Sequence, residues 1–140
     1  MTRDTLPAIT RINPPELGTP PGYSQIVEVT AGRMIFIAGQ TALDAGGNLV
    51  GKNDFAAQAG QVFDNLTVAL RASRCTPAHL VKLTVFLTDM DNLARYREAR
   101  NRFFNSVTPT AAPAVTLVEV SKLYGPDFMI EIEAIAATSF

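Results

Sequence analysis

The stretch FMIEIEAIAA, residues 128–137, decides how this chain is read. Its apolar residues recur with a period of two, so Ile130, Ile132, Ala134 and Ala136 share one face and Glu131 and Glu133 the other. That period is a strand's, and a strand with a continuous apolar face belongs against a core. Two carboxylates on the opposite face are costly to bury without partners. They line a wet cleft, meet cations, or include one carboxyl kept protonated.

Moving toward the N-terminus, the turn YGPD separates this strand from AVTLVEVSKL, and the two read as closing strands. Before them, DNLARYREARNRFFN has a helical period, with Leu93, Tyr96, the Arg100 stem, Phe103 and Phe104 near one side. Asp91–Arg95 and Glu98–Arg102 have ion-pair spacing on that helix, and its arginines read as a solvated face. A strand is expected at about 81–88 and a first helix over 54–74, capped by Asn53 or Asp54, with Phe55, Ala59, Val62, Leu66 and Ala69 inward. Two β-rich runs, 25–30 and 34–40, flank AGR, which reads as a hairpin turn, and AITRIN (8–13) is a short first strand. DAGGN (44–48) is another turn. The order is β-β-β-α-β-α-β-β, which implies an α+β domain, a mixed sheet with two helices on one face, spanning residues 1–140 as one unit.

RMIFIAG, KLTVFLT and AVTLVEV are apolar on both faces. Two helices cannot cover both faces of such a sheet, so the sequence predicts association with further copies. The net charge of −1 argues against a nucleic-acid partner. The lone cysteine, Cys75, cannot form a disulfide within the chain, which makes the cytoplasm the expected compartment. MTRDTLPAIT lacks an apolar signal core, and no apolar run approaches the ~20 residues needed to span a membrane.

Familiar catalytic signatures are missing. His79 and Cys75 are the chain's one histidine and one cysteine, too few for a structural zinc site, so no metal is expected. No phosphate loop is visible. What remains is Tyr23, presented after the rigid PP just before a strand, Gly39, where a missing side chain lets a ligand or backbone approach, and the glutamates of the last strand.

GYSQ (22–25), FIAGQTALDAGGNLVG (36–51), VKLTVFLTDMDN (81–92) and PAVTLVEVSKLYGPDFMIEIEAIAA (113–137) together resemble the YjgF/RidA family of imine deaminases, over about residues 9–137 and in the family's order. The resemblance implies a chorismate-mutase-like α+β fold and a homotrimer with a small-molecule cleft between adjacent subunits. It also implies hydrolysis of enamines and imines to 2-keto acids and ammonia, with no metal or organic cofactor. Residue by residue, Tyr23 matches the cleft tyrosine, although the usual Gly-Pro-Tyr-Ser reads PGYS here. Gly39 matches a backbone contact, and Glu131 matches the glutamate that positions the attacking water, with Glu133 expected deeper or nearer a subunit contact.

One departure bears on function. Where the deaminases carry Pro-Ala-Arg, this chain has Val115, and Leu117 takes the place of a frequent cysteine. A valine offers neither charge nor donor for a substrate carboxylate, and losing such a pair costs about 2 to 5 kcal/mol in binding. Lys82, Lys122 and Arg33 are the candidate replacement cations, with Lys122 on the wrong face if its strand stays regular. The expected function is hydrolysis of an enamine or imine with altered substrate preference. The alternative is a trimer that binds a small molecule or regulates a partner without turnover. Glu131 is the catalytic candidate, with Tyr23, Gly39, Val115 and Leu117 binding substrate, and a carboxyl beside Val115 and Leu117 is expected to titrate high.

Overall fold

The helical period of residues 54–74 becomes α1, Phe55–Ala72, in a computed structural model that describes residues 9–105 and 112–139. The Asp54 carboxylate accepts from the Ala57 N–H at 3.1 Å, satisfying one of the unpaired first-turn amides. Phe55, Ala59, Val62 and Leu66 are buried as expected, joined by Phe63 and Leu70. The second helix, α2, is Leu93–Phe104 and buries Tyr96, Ala99, Phe103 and Phe104. The expected ion pairs along it are not formed among the described residues. Asp91 lies in a 3₁₀ turn, Met90–Asn92, so helical spacing does not carry it to Arg95, which donates instead to Asn92 Oδ1 at 3.3 Å.

Among the described residues, six strands complete the expected order: β1 (Ile9–Ile12), β2 (Ile26–Val29), β3 (Arg33–Gln40), β4 (Leu80–Leu87), β5 (Ala114–Glu119) and β6 (Ile130–Thr138). Four of them form a mixed sheet in the order β3-β6-β4-β5. β6 is antiparallel to both neighbours, and β4 runs parallel to β5 through the α2 crossover. The architecture is α+β, with both helices against one face of the sheet. The first eight residues, including the leader-free N-terminal reading, lie outside the described residues.

Two expected neighbours are not paired. β2 and β3 adjoin in sequence through a turn at Gly32 (φ +118°), but β2 pairs with β1 in a separate two-stranded sheet. β3 is drawn to β6, where Ile35 and Ile37 lie across from the small Ala136 and Ala134 and pack into the core. Likewise β5 and β6 flank YGPD without pairing, because β4 lies between them.

The core fills the space between the helices and one sheet face. Leu83, Val85 and Leu87 of β4 meet Ile130, Ile132, Ala134 and Ala136 of β6 there. Gln58 of α1 is fully buried and fully used. Its Nε2 donates to Gly51 O at 3.1 Å and Asp127 O at 2.8 Å, and its Oε1 accepts from Met129 N at 2.9 Å. This amide fixes the chain just ahead of β6 and so the register of Glu131. On the other sheet face Phe36 is 74% exposed, and Met34 and Val118 are exposed with it. One copy of the chain leaves that apolar face open, in keeping with the two-sided strands read from the sequence.

Candidate functional site

The five candidate residues fall into two groups on opposite faces of the sheet. Val115 and Leu117 of β5 lie across from Leu83 and Val85 of β4, both core residues, so they point to the helix side. Tyr23 is brought to them by Ser24, a buried residue. Ser24 N donates to Pro113 O at 2.9 Å, and its Oγ donates to Ala112 O at 2.6 Å. Arg11 of β1 reaches the same Ala112 carbonyl at 3.2 Å, tying the β1–β2 pair to the start of β5. Tyr23, Val115 and Leu117 thereby line one cavity of about 370 Å³, whose other wall is α2, through Leu93, Tyr96 and Arg100.

Glu131 and Gly39 form the second group. Glu131 lies across from Phe86 of β4, and Phe86 from Val118 of β5, all on the open face. The β3–β6 register shifts by one residue between Ile37 and Gln40, a bulge that carries Gly39. The Glu131 carboxylate lies directly over Gly39. A Cβ there would collide with Oε2 and stand 2.9 Å from Cδ and 3.1 Å from Cγ. Gly39 also borders a cavity of about 360 Å³ with Thr41 and Tyr124, whose hydroxyls are 2.7 Å apart.

The Glu131 side chain is half-buried, and its carboxylate accepts no hydrogen bond from any described residue. Burial, then the neighbouring Glu133 charge, raises its pKa above the ordinary 4.5. The direction agrees with the sequence reading but the cause differs, since Val115 and Leu117 are on the other side of the sheet. Glu133 is exposed, so it is the shallower of the two.

The cations proposed to replace the arginine do not reach Val115. Lys82 lies on the open face and donates to Thr116 Oγ1 at 2.8 Å. Arg33 donates to Ser73 O at 2.8 Å, at the far end of α1, and Lys122 borders a different cavity beside Tyr124. The cations that do line the Val115 cavity are Arg97 and Arg100. The sequence placed the Arg100 stem on the apolar side of its helix, but the head's position depends on where the Tyr23 loop lands. Among the described residues no group of His, Cys, Asp and Glu could hold a metal ion, and no helix is long and apolar enough to cross a membrane.

Residues 16–138 match the family described as Endoribonuclease L-PSP. The chain belongs to the YjgF/RidA family. Among its YjgF/RidA relatives, the protein DfrA of Myxococcus xanthus is 40% identical over 116 residues, 83% of this chain and 85% of that one. A Salmonella typhimurium protein named 2-iminobutanoate/2-iminopropanoate deaminase is 35% identical over 108 residues, 77% of this chain and 82% of that one. The fold matches the crystal structure of the Rid protein YyfB from Yersinia pestis, of unknown function, with a TM-score of 0.83 and 35% identity over 94% of this chain and 99% of that one.

Proposed function

We propose that the chain forms a homotrimer and hydrolyses the C=N bond of an imine, or of the imine tautomer of an enamine, in clefts between adjacent copies. Each cleft joins Tyr23, Val115 and Leu117 of one copy to Gly39 and Glu131 of the next. The observation that carries this reading is the Glu131 carboxylate, half-buried over the bulged Gly39 backbone and without a hydrogen-bond donor among the described residues. Burial, then the Glu133 charge, raises the carboxyl's pKa, the direction that suits a group meant both to take and to return a proton.

In this scheme the oxygen of a water held by Glu131 adds to the imine carbon, and the water proton passes to the carboxylate. The carboxyl returns that proton to nitrogen, giving a carbinolamine; the carbinolamine's hydroxyl proton then passes through the same carboxylate to nitrogen, the C–N bond breaks, and ammonia leaves with its electron pair as the carbonyl forms. The relative named as an imine deaminase supports the reaction class. The open apolar face with Phe36, Met34 and Val118 supports the assembly. Val115 alters which substrate fits. It equally supports a second reading, a trimer that holds a small molecule without turning it over.

The test is ammonia release from 2-imino acids generated in place by an amino-acid oxidase, with semicarbazide competing for the imine. Turnover that disappears in Glu131→Gln is the expected result. No turnover by the unmodified chain, with activity appearing in Val115→Arg, would leave the scaffold intact and assign it another ligand. Silence from both favours the binding trimer.

A further inference from the structure

Two groups in the Val115 cavity take no part in the hydrolysis proposed above. Arg100 is half-buried on a helix whose Arg95, Arg97 and Arg102 are exposed. Its guanidinium stands 6.0 Å from the centre of the Tyr96 ring. It also rests against the Gly22 backbone, where a Cβ would come within 2.7 Å of Nη2 and 2.9 Å of Cζ. Gly22 has φ +82°, a value that the ring of a proline cannot reach. Position 22 is therefore both shaped and emptied for Arg100. Among the described residues, Arg100 has one hydrogen-bond partner, Asn101 Oδ1, reached by Nε at 3.3 Å and Nη2 at 3.1 Å. Nη1 is uncommitted, and no described carboxylate pairs with Arg100 or Arg97.

The hydroxyl of the same Tyr96 is buried and has no hydrogen-bond partner among the described residues. Burial pushes this phenol up to about 12, against the opposing pull of Arg100 and Arg97, so it remains a donor at neutral pH. An unpaired buried donor beside two cations without counter-charges calls for an anionic acceptor. Arg100 Nη1, uncommitted at the cavity wall, suits one oxygen of a carboxylate, and the Tyr96 hydroxyl, closed off from solvent in this structure, suits the other once its ring shifts toward the cavity. Val115, Leu117, Met90 and Leu93 supply an apolar wall in the same cavity, which suits an apolar body behind the acid.

We propose that Arg100 and the Tyr96 hydroxyl bind the carboxylate of the cleft's ligand, and that this ligand is an acid with a bulky apolar body. The placement rests on the cleft described under the proposed function, but the binding needs no turnover.

The experiment is calorimetric titration of the full chain, in its native assembly, with phenylacetate and with the uncharged phenylacetamide. The unmodified chain should prefer the acid by about tenfold or more, equivalent to about 1.4 kcal/mol. Arg100→Met, which keeps the stem, should lose the preference, and Arg100→Lys should retain part of it. Tyr96→Phe should weaken the acid and leave the amide unchanged, and thermal unfolding checks that each variant is folded. Equal binding or no binding of the two probes by the unmodified chain overturns the proposal. So does a preference that survives in folded Arg100→Met, or in Tyr96→Phe at full strength should the methionine variant fail to fold. Ammonia release by the same unmodified chain separates the two proposals. If the acid preference stands while the unmodified chain releases no ammonia, the hydrolysis fails and the anion site remains.

Discussion

Replacing Gly39 with alanine tests the contact on which the catalytic reading depends. Gly39 has no positive φ, so an alanine there removes freedom from the unfolded chain and stabilises the fold by about 0.4 to 1 kcal/mol. The new Cβ collides with the Glu131 carboxylate, the end of a flexible and half-buried side chain. Swinging that side chain off its rotamer costs about 0.5 to 1.5 kcal/mol. The two effects nearly cancel, so Gly39→Ala alone should move stability by less than about 1 kcal/mol, a few degrees in Tm for a chain of this size. In a Glu131→Ala background the collision is gone and only the gain remains. A double-mutant cycle by denaturant unfolding at fixed chain concentration should therefore give a coupling of about 0.5 to 1.5 kcal/mol between the two sites. Ammonia release should fall about a hundredfold in Gly39→Ala, because the carboxylate is displaced by about 1 Å. Equal destabilisation by Gly39→Ala with and without the Glu131 side chain would falsify the placement of the carboxylate over this glycine.

Other perturbations follow from the same geometry. The raised pKa of Glu131 means that its contribution to stability is fully present below its unfolded value and is lost as pH rises through the folded one. Glu131→Gln should accordingly be more stable than the parent at neutral pH and flatten that part of the profile; denaturant midpoints across about pH 4 to 8 read this, and an unchanged slope sinks it. Gln58→Leu leaves the Asp127 carbonyl and the Met129 N–H ahead of β6 without partners, while the Gly51 carbonyl keeps the Asp54 N–H, and should cost about 2 kcal/mol or more by chemical unfolding. Phe36→Asp places a charge on the open apolar face, so sedimentation should show trimers for the parent and smaller species for the variant. A monomeric parent would contradict the assembly.

The helices and the strand order were legible because their signals are local. Phe55, Ala59, Val62 and Leu66 repeat within one segment, and Ile130 to Ala136 alternate within another. Pairing was not legible in the same way, since sequence adjacency suggested β2 with β3 and β5 with β6. Which strand lies beside which depends on how side chains from distant segments fit, as Ile35 and Ile37 do over Ala136 and Ala134. The parity of the last strand placed Glu131 and Glu133 away from the core, and resemblance singled out Glu131. Neither placed Val115 on the opposite face, which needs the β4–β5 register. Arg100 was visible as a stem on a helix. Its head became part of a cavity only through Gly22 and the hydrogen bonds that draw Tyr23 to Pro113.

The thickness of one sheet separates Val115 from Glu131, and that separation has a genetic consequence. Under the proposed assembly no copy owns a complete site, so damage on one face and damage on the other fall in different clefts. Chains carrying Glu131→Gln still offer an intact Tyr23 half, and chains with a disabled Tyr23 half still offer an intact Glu131. Two inactive proteins, unfolded together and refolded as a mixture, should regain activity in about one cleft in four, as random placement around a closed ring dictates. An allele pair of this kind would behave as complementing although both lesions lie in a single reading frame.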